Sequence, residues 1–339
     1  MKLFVEPNKE YAIKIPYDWG YVTDVYDNRV TNLHSFESRK NKIGCFQISC
    51  IEKSKGAIPQ LIAKYNLINQ SEGKPNLNFA TAELKIDQTI AFLWMALVND
   101  QLIKVQYICS VQTDEVEYHS ELKRVRDVIE TIIYIPKKER EKFFAHYHFD
   151  RFMTSIAASL DLQNRAMANE SYIELIILIA SQIDSQLRSL VILQKQIIYK
   201  TDELDIKLIF QNKNDRPIME KKIYDLALKE KLITQILYDQ LYSLYNERNK
   251  VVHRFIISEI KTLHIKQLAY EYANIRDQID ELVNKLEMQQ FKFNIGLYKG
   301  DKSPGDSMSE KALKNLIERI KDKHSDIRIN EGITMGNNM

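Results

Sequence analysis

Cysteine is scarce in this chain: Cys45, Cys50 and Cys109 are the three in 339 residues. An odd, scattered set cannot build the dense disulfide framework of a small secreted domain, so a reducing compartment is expected. No secretory leader is expected either, because Met1-Lys2-Leu3-Phe4-Val5 meets Glu6 before an apolar core of useful length can form. The protein is therefore expected in the cytoplasm. Uncharged apolar runs are too short for a membrane span of about 20 residues. Thr89 to Val98 is half that length, and the run around Ile176 is flanked by Glu174 and Asp184. Excess charge of one sign is also lacking, with 48 Lys plus Arg against 46 Asp plus Glu. Nucleic-acid binding, if present, has to be local. No glycine-rich dinucleotide fingerprint occurs, and Gly73-Lys74-Pro75 lacks the preceding glycine and following hydroxyl of a phosphate loop.

What is there is a foldable composition, 45% apolar and 28% charged, in a chain long enough for two domains. Residues 1–135 read as an α+β domain, an antiparallel sheet with two helices. Tyr11, Ile13 and Ile15 alternate with polar neighbours, and Ile43, Cys45, Phe46 and Ile48 mark a second strand. Asn78 to Lys85, Thr89 to Val98 and Gln101 to Val111 form a meander, with Asp87 and Asn99-Asp100 at its turns. Ile58, Leu61, Ile62 and Tyr65 recur at helical spacing, as do Leu122, Val125, Ile129 and Ile132. The charged stretch after Pro136 marks a boundary.

Glycine is absent from Lys142 to Phe291, and spacings of three and four replace those of two. Residues 142–290 therefore read as an all-α bundle. The longest helix runs from about Asn169 to Lys200, with Ile173, Ile176, Ala180, Ile183, Leu187 and Leu190 on one seam. A short helix opens at Pro217, Thr234 caps a third, and a fourth runs from about Lys261 to Gln290. Residues 291–339 read as a linker through Gly296, Gly300 and Gly305, followed by a small amphipathic helix. Ser307 and Glu310 supply its capping box, and the helix is expected to dock.

The third helix of the bundle carries Asn246-Glu247-Arg248-Asn249-Lys250-Val251-Val252-His253-Arg254-Phe255. Its apolar stripe runs Leu237, Leu241, Leu244, then Arg248, then Val251 and Phe255. An arginine thus stands where a hydrophobic residue belongs, and a guanidinium on a packed seam must find an anion or several acceptors. Asp184 or Glu174 could be that partner within the bundle. Asn249 and His253, four apart, share a face with Tyr242 and Asn246. Arg248 and His253 are five apart, about 140° around the helix, and flank one wall.

The segment Glu247-Arg248-Asn249-Lys250-Val251-Val252-His253 resembles the Arg, polar residue, three variable residues, His motif of HEPN domains, the higher eukaryotes and prokaryotes nucleotide-binding family. The earlier Ala180 to Arg188 resembles that family's first long helix, with Asp184 at its acidic position. The resemblance covers about residues 142–290. It implies a metal-independent endoribonuclease that needs no cofactor, in which a ribose 2′-hydroxyl attacks the adjacent phosphodiester. It also implies a homodimer whose two motifs meet in one cleft, where the substrate phosphate would supply the anion Arg248 lacks. His253 would be the general acid/base, since an imidazole titrates near neutral pH. Arg248 would hold the phosphate with its planar donor fork, and Asn249 would orient substrate or imidazole. Asp184 and Glu247 would support them. Lys250 and Arg254 would add RNA phosphate contacts, or form a solvated basic face. By analogy such a protein would be a toxin or antiviral defence effector. The alternative is a non-catalytic scaffold that dimerises or binds RNA or a nucleotide.

Other signals weigh less. His146 and His148 could both face a metal if they lay on a strand, but no cysteine or carboxylate cluster completes a site. Cys45 and Cys50 fall on opposite faces of a strand. The 18 tyrosines lie mostly beside apolar stripes, as core and interface residues do. Tyr11 to Pro16, Trp19 and the helix ending Val128-Ile129-Glu130-Thr131-Ile132 weakly resemble PsbP-like α/β folds. That resemblance implies a recognition or regulatory module with a protein partner.

Overall fold

The structure, a computed structural model, describes residues 1–22, 33–70, 77–211, 215–300, 303–304, 306 and 308–325. Gly73-Lys74-Pro75, Gly305 and Ser307 lie outside the described residues. An antiparallel α+β unit, Met1–Phe144, is followed by a helical unit, Ala145–His324.

The first unit holds two sheets. Strands β1 (Lys2–Val5), β2 (Tyr11–Ile15) and β10 (Ile133–Tyr134) form the smaller, with β2 central. The larger runs β3 (Trp19–Tyr21), β4 (Leu33–Ser38), β5 (Gly44–Glu52), β9 (Gln101–Ser110), β8 (Thr89–Val98) and β6 (Asn69–Gln70), with β7 (Ala80–Ile86) also paired to β8. Pairing is antiparallel except between β6 and β8. The meander follows from its turns: Val98 pairs Gln101 across Asn99 and Asp100, both at positive φ (45° and 60°) as a tight hairpin of matching twist requires.

Tyr11, Ile13 and Ile15 alternate into the core as their period-2 pattern predicts, and Phe46 and Ile48 join them from β5. Helix α2 (Glu115–Ile129), capped by Asp114 accepting from the Val116 and Glu117 amides at 2.9 and 3.2 Å, adds Leu122, Val125 and Ile129. Helix α1 (Ile58–Lys64) packs Ile58 with Met95 and Leu102. Cys50 is buried while Cys45 lies on the less buried face of β5, and both are free thiols.

In the second unit helix α4 (Tyr172–Tyr199) is the core element, packed chiefly against α8 (Thr262–Phe293). By length and composition α4 could cross a membrane, but 67% of its apolar window is buried inside the protein. Around it lie α3 (Arg140–Ala168), α5 (Ile206–Ile209), α6 (Glu220–Lys229), α7 (Gln235–Arg254) and α9 (Glu310–Ser325).

Two expectations are corrected, and the expected docking of the last helix is seen. Residues 140–168 form one continuous helix, so His146 and His148 lie on α3 and not on a strand. Two residues apart on a helix, their side chains diverge by about 200°. Pro217 does not open α6, which starts at Glu220. The α9 helix docks on α3, where Arg319 pairs with Asp150 at 2.6 Å and His324 lies 3.1 Å from Asp161.

Candidate functional site

Helix α7 begins where Thr234 Oγ1 accepts the Leu237 amide at 3.2 Å. Leu237, Leu241, Leu244 and Val251 face the core, and Arg248 occupies the gap in that stripe. Its side chain is 16% exposed, so the guanidinium has left most of its water.

The anion that compensates it belongs to the same chain. Arg248 Nη1 donates to Glu220 Oε2 at 2.7 Å, and Nη2 donates to Asn249 Oδ1 at 3.2 Å. The Tyr245 ring covers the guanidinium 4.7 Å from its centroid. Burial alone would lower the Arg248 pKa, but the hydrogen bond and charge of Glu220 reverse the effect and raise it. The Tyr224 hydroxyl donates to the other Glu220 oxygen, Oε1. Burial first, and the Glu220 charge second, push that phenol far above the usual tyrosine range.

Asp184 does not pair with Arg248. It accepts Arg188 Nε at 2.8 Å and Nη2 at 3.3 Å, and burial outweighs this pairing to raise the carboxyl above its ordinary pKa. Arg188 also donates to the carbonyls of Leu208 and Ile218, at 3.1 and 3.0 Å. Its second bond anchors the chain two residues before Glu220 begins α6. Glu174 takes no part in these bonds. The ionic arrangement is thus two linked pairs, Asp184 with Arg188 and Glu220 with Arg248.

Beside the buried pair, α7 carries a groove of about 540 Å³ lined by Ser243, Asn246, Glu247, Asn249, Lys250, His253 and Arg254. Spacings of three and four bring these residues to one face. His253 is exposed there and has no hydrogen-bond partner among the described residues. Lys250 Nζ sits 2.5 Å from Glu247 Oε1, and the other Glu247 oxygen is 3.8 Å from His264. Glu247 therefore tempers the groove's positive charge.

The structure gathers Asn249, His253, Glu247, Lys250 and Arg254 in one groove and leaves Arg248 and Asp184 outside its lining. Asn249 is the link, since it lines the groove and accepts from Arg248. Tyr242 is also outside the groove, lying with Tyr245 under the Lys221 ammonium at 4.3 and 4.5 Å.

No family model and no curated protein matches the chain. A crystal structure of a protein from Bacteroides thetaiotaomicron VPI-5482 aligns over 54% of this chain and 77% of its own, with 12% identity and a TM-score of 0.29. A likeness that slight carries no argument.

The sequence reading missed Glu220, Tyr224 and Arg188. Glu220 is one of three charged residues opening α6, Glu220-Lys221-Lys222, and nothing in their spacing says which one meets α7. Only the packing of α6 on α7 selects it.

Proposed function

We propose that the helical unit is a metal-independent endoribonuclease of the HEPN type, acting as a homodimer in the cytoplasm. The observation that carries this reading is the groove on α7, where an exposed imidazole stands among amides and cationic side chains beside an arginine of fixed orientation.

In the proposed reaction the ribose 2′-oxygen forms a new bond to phosphorus and the bond to the 5′-oxygen breaks, leaving a 2′,3′-cyclic phosphate. One proton leaves the 2′-hydroxyl and one reaches the departing oxygen. His253 exchanges one of them, and the same residue of a second copy exchanges the other. Of the five N–H donors on a guanidinium, Arg248 commits two to Glu220 and Asn249. In this reading the remaining donors stabilise the charge that builds on the phosphorane oxygens. Asn249 orients the nucleotide, and Lys250 and Arg254 contact flanking phosphates. The biological role proposed by analogy is that of a toxin or antiviral effector, with the first unit as its recognition or regulatory module.

A second reading, a scaffold that dimerises or holds RNA without cutting it, is favoured by one observation: Glu220 already neutralises Arg248. The two part in an assay with labelled single-stranded RNA in EDTA. Cleavage by the wild-type chain, lowered about a hundredfold or more in both His253→Ala and Arg248→Ala, supports the nuclease. Equal behaviour of all three proteins, each shown to be folded, supports the scaffold.

A further inference from the structure

Tyr272 lies on the buried stripe of α8 between Leu268 and Ile275, 1% exposed, and its hydroxyl is buried without a hydrogen-bond partner. A phenol oxygen left unpaired in a dry core costs free energy that a phenylalanine in the same place does not. What surrounds this oxygen is the ion pair of the candidate site. The charges that act on it are those of Arg248 and Glu220, and Tyr224 and Tyr245 lie around the same pair. Burial, partly offset by the Arg248 charge, raises the phenol above the usual tyrosine range. The hydroxyl therefore keeps its proton and stands as an idle donor.

Glu220 gives that donor a use. A phosphate arriving at Arg248 meets a guanidinium whose charge Glu220 already balances from 2.7 Å, so two anions then face one cation. Glu220 cannot be left alone either, because a carboxylate only 17% exposed depends on donors from the protein. Its neighbours are committed. Tyr224 bonds Oε1, Arg188 bonds Asp184 and two backbone carbonyls, and the Lys221 ammonium stands over the Tyr242 and Tyr245 rings. Among the described residues, Tyr272 is the buried hydroxyl beside the pair that has no bond to give up.

We propose that Tyr272 is a positioning residue for Arg248: when an RNA phosphate binds, its hydroxyl donates to Glu220 Oε2, the oxygen Arg248 holds at rest, and turns the guanidinium over to the phosphate. Glu220 then rests between two tyrosines, Tyr224 of α6 on one oxygen and Tyr272 of α8 on the other. Only hydrogen bonds are exchanged, and no proton changes owner. The exchange rests on the reading that a phosphate reaches Arg248, whether or not the chain goes on to cut the RNA.

The test is binding of an uncleavable 2′-O-methyl oligoribonucleotide to the full chain, followed by fluorescence anisotropy, beside thermal melts. Tyr272→Phe removes one oxygen and should weaken binding about tenfold, the scale of a hydrogen bond to a charged group. Its Tm should not fall, because the hydroxyl has no bond to lose at rest. In Glu220→Gln the charge that Tyr272 takes up is gone, so adding Tyr272→Phe there should change affinity by less than about twofold. In protein carrying 13C-labelled tyrosine, the Cζ resonance that vanishes in Tyr272→Phe should shift when the wild-type chain is saturated with the oligonucleotide.

Wild-type affinity in Tyr272→Phe, the same tenfold loss on the Glu220→Gln background, or a resonance that stays in place at saturation would overturn the proposal. So would a chain that binds no oligonucleotide, or a Tm lowered by more than about 3 °C in Tyr272→Phe, the mark of a structural bond already made. Cleavage of unmodified RNA judges the nuclease reading separately. A chain that binds and shows the shift but does not cut keeps the exchange and loses the nuclease, and one that cuts equally well as Tyr272→Phe does the reverse.

Discussion

Arg248 and Glu220 set the chemistry available at the α7 groove. An arginine in an apolar stripe is tolerated only because a carboxylate of the same chain reaches it, and that carboxylate is held by Tyr224. Both members of the pair are under one-fifth exposed, so removing one strands a charge in poor solvent. Glu220→Ala should therefore cost about 3 kcal/mol. Urea denaturation measures it, and a loss below about 1 kcal/mol would place the pair among solvent-screened surface bridges. A double variant that replaces both partners with apolar residues should lose less than Glu220→Ala alone, because no unpaired charge is left. The arginine was legible in the sequence because it broke a period. Its partner was not, because the pairing spans 28 residues and depends on how two helices pack.

Periodicity located elements wherever polar and apolar residues contrast. The β7 to β9 meander, α1, α2 and α7 follow from alternation or from three-and-four spacing, and Asn99-Asp100 marked the β8–β9 hairpin. That turn carries its own expectation: Asn99→Gly should be close to neutral, whereas Asn99→Val, forced to φ 45°, should cost about 1–2 kcal/mol. Thermal melts of the two variants check it, and equal stability would mean the turn relaxes. Helix α3 was missed for the opposite reason. Its buried positions include Ala145, Thr154, Ala158 and Ala166, small residues that give little hydropathy contrast, with His148 among them. Strands β1, β3 and β10 are four residues or fewer, too short for a period to register.

At the scale of the whole molecule, the division at Phe144 falls inside α3, a few residues beyond the charged stretch after Pro136. The proposed dimer has a surface to use. The turn that follows α7 exposes Ile256 and Ile257 at 94% and 82%, separated from the groove residues His253 and Arg254 by Phe255 alone. Isoleucines that exposed are a poor choice unless a partner covers them. Sedimentation should accordingly give twice the 39.9 kDa chain mass, and Ile256→Glu should shift the protein toward monomer. A wild-type chain sedimenting at 39.9 kDa at micromolar concentration would remove the dimer from the proposed mechanism.

The sequence by itself determined an α+β unit ahead of a helical one, because side-chain period is a local property that hydrophobic burial reads directly. It also determined the line of polar residues that became the groove, since helical spacing alone brings them to one face. Tertiary structure decided which charges meet. Glu220 rather than Asp184 neutralises Arg248, and Asp184 is taken by Arg188. Electrostatic partnership acts through space over a few ångströms, and chain order does not encode which helix faces will be brought that close.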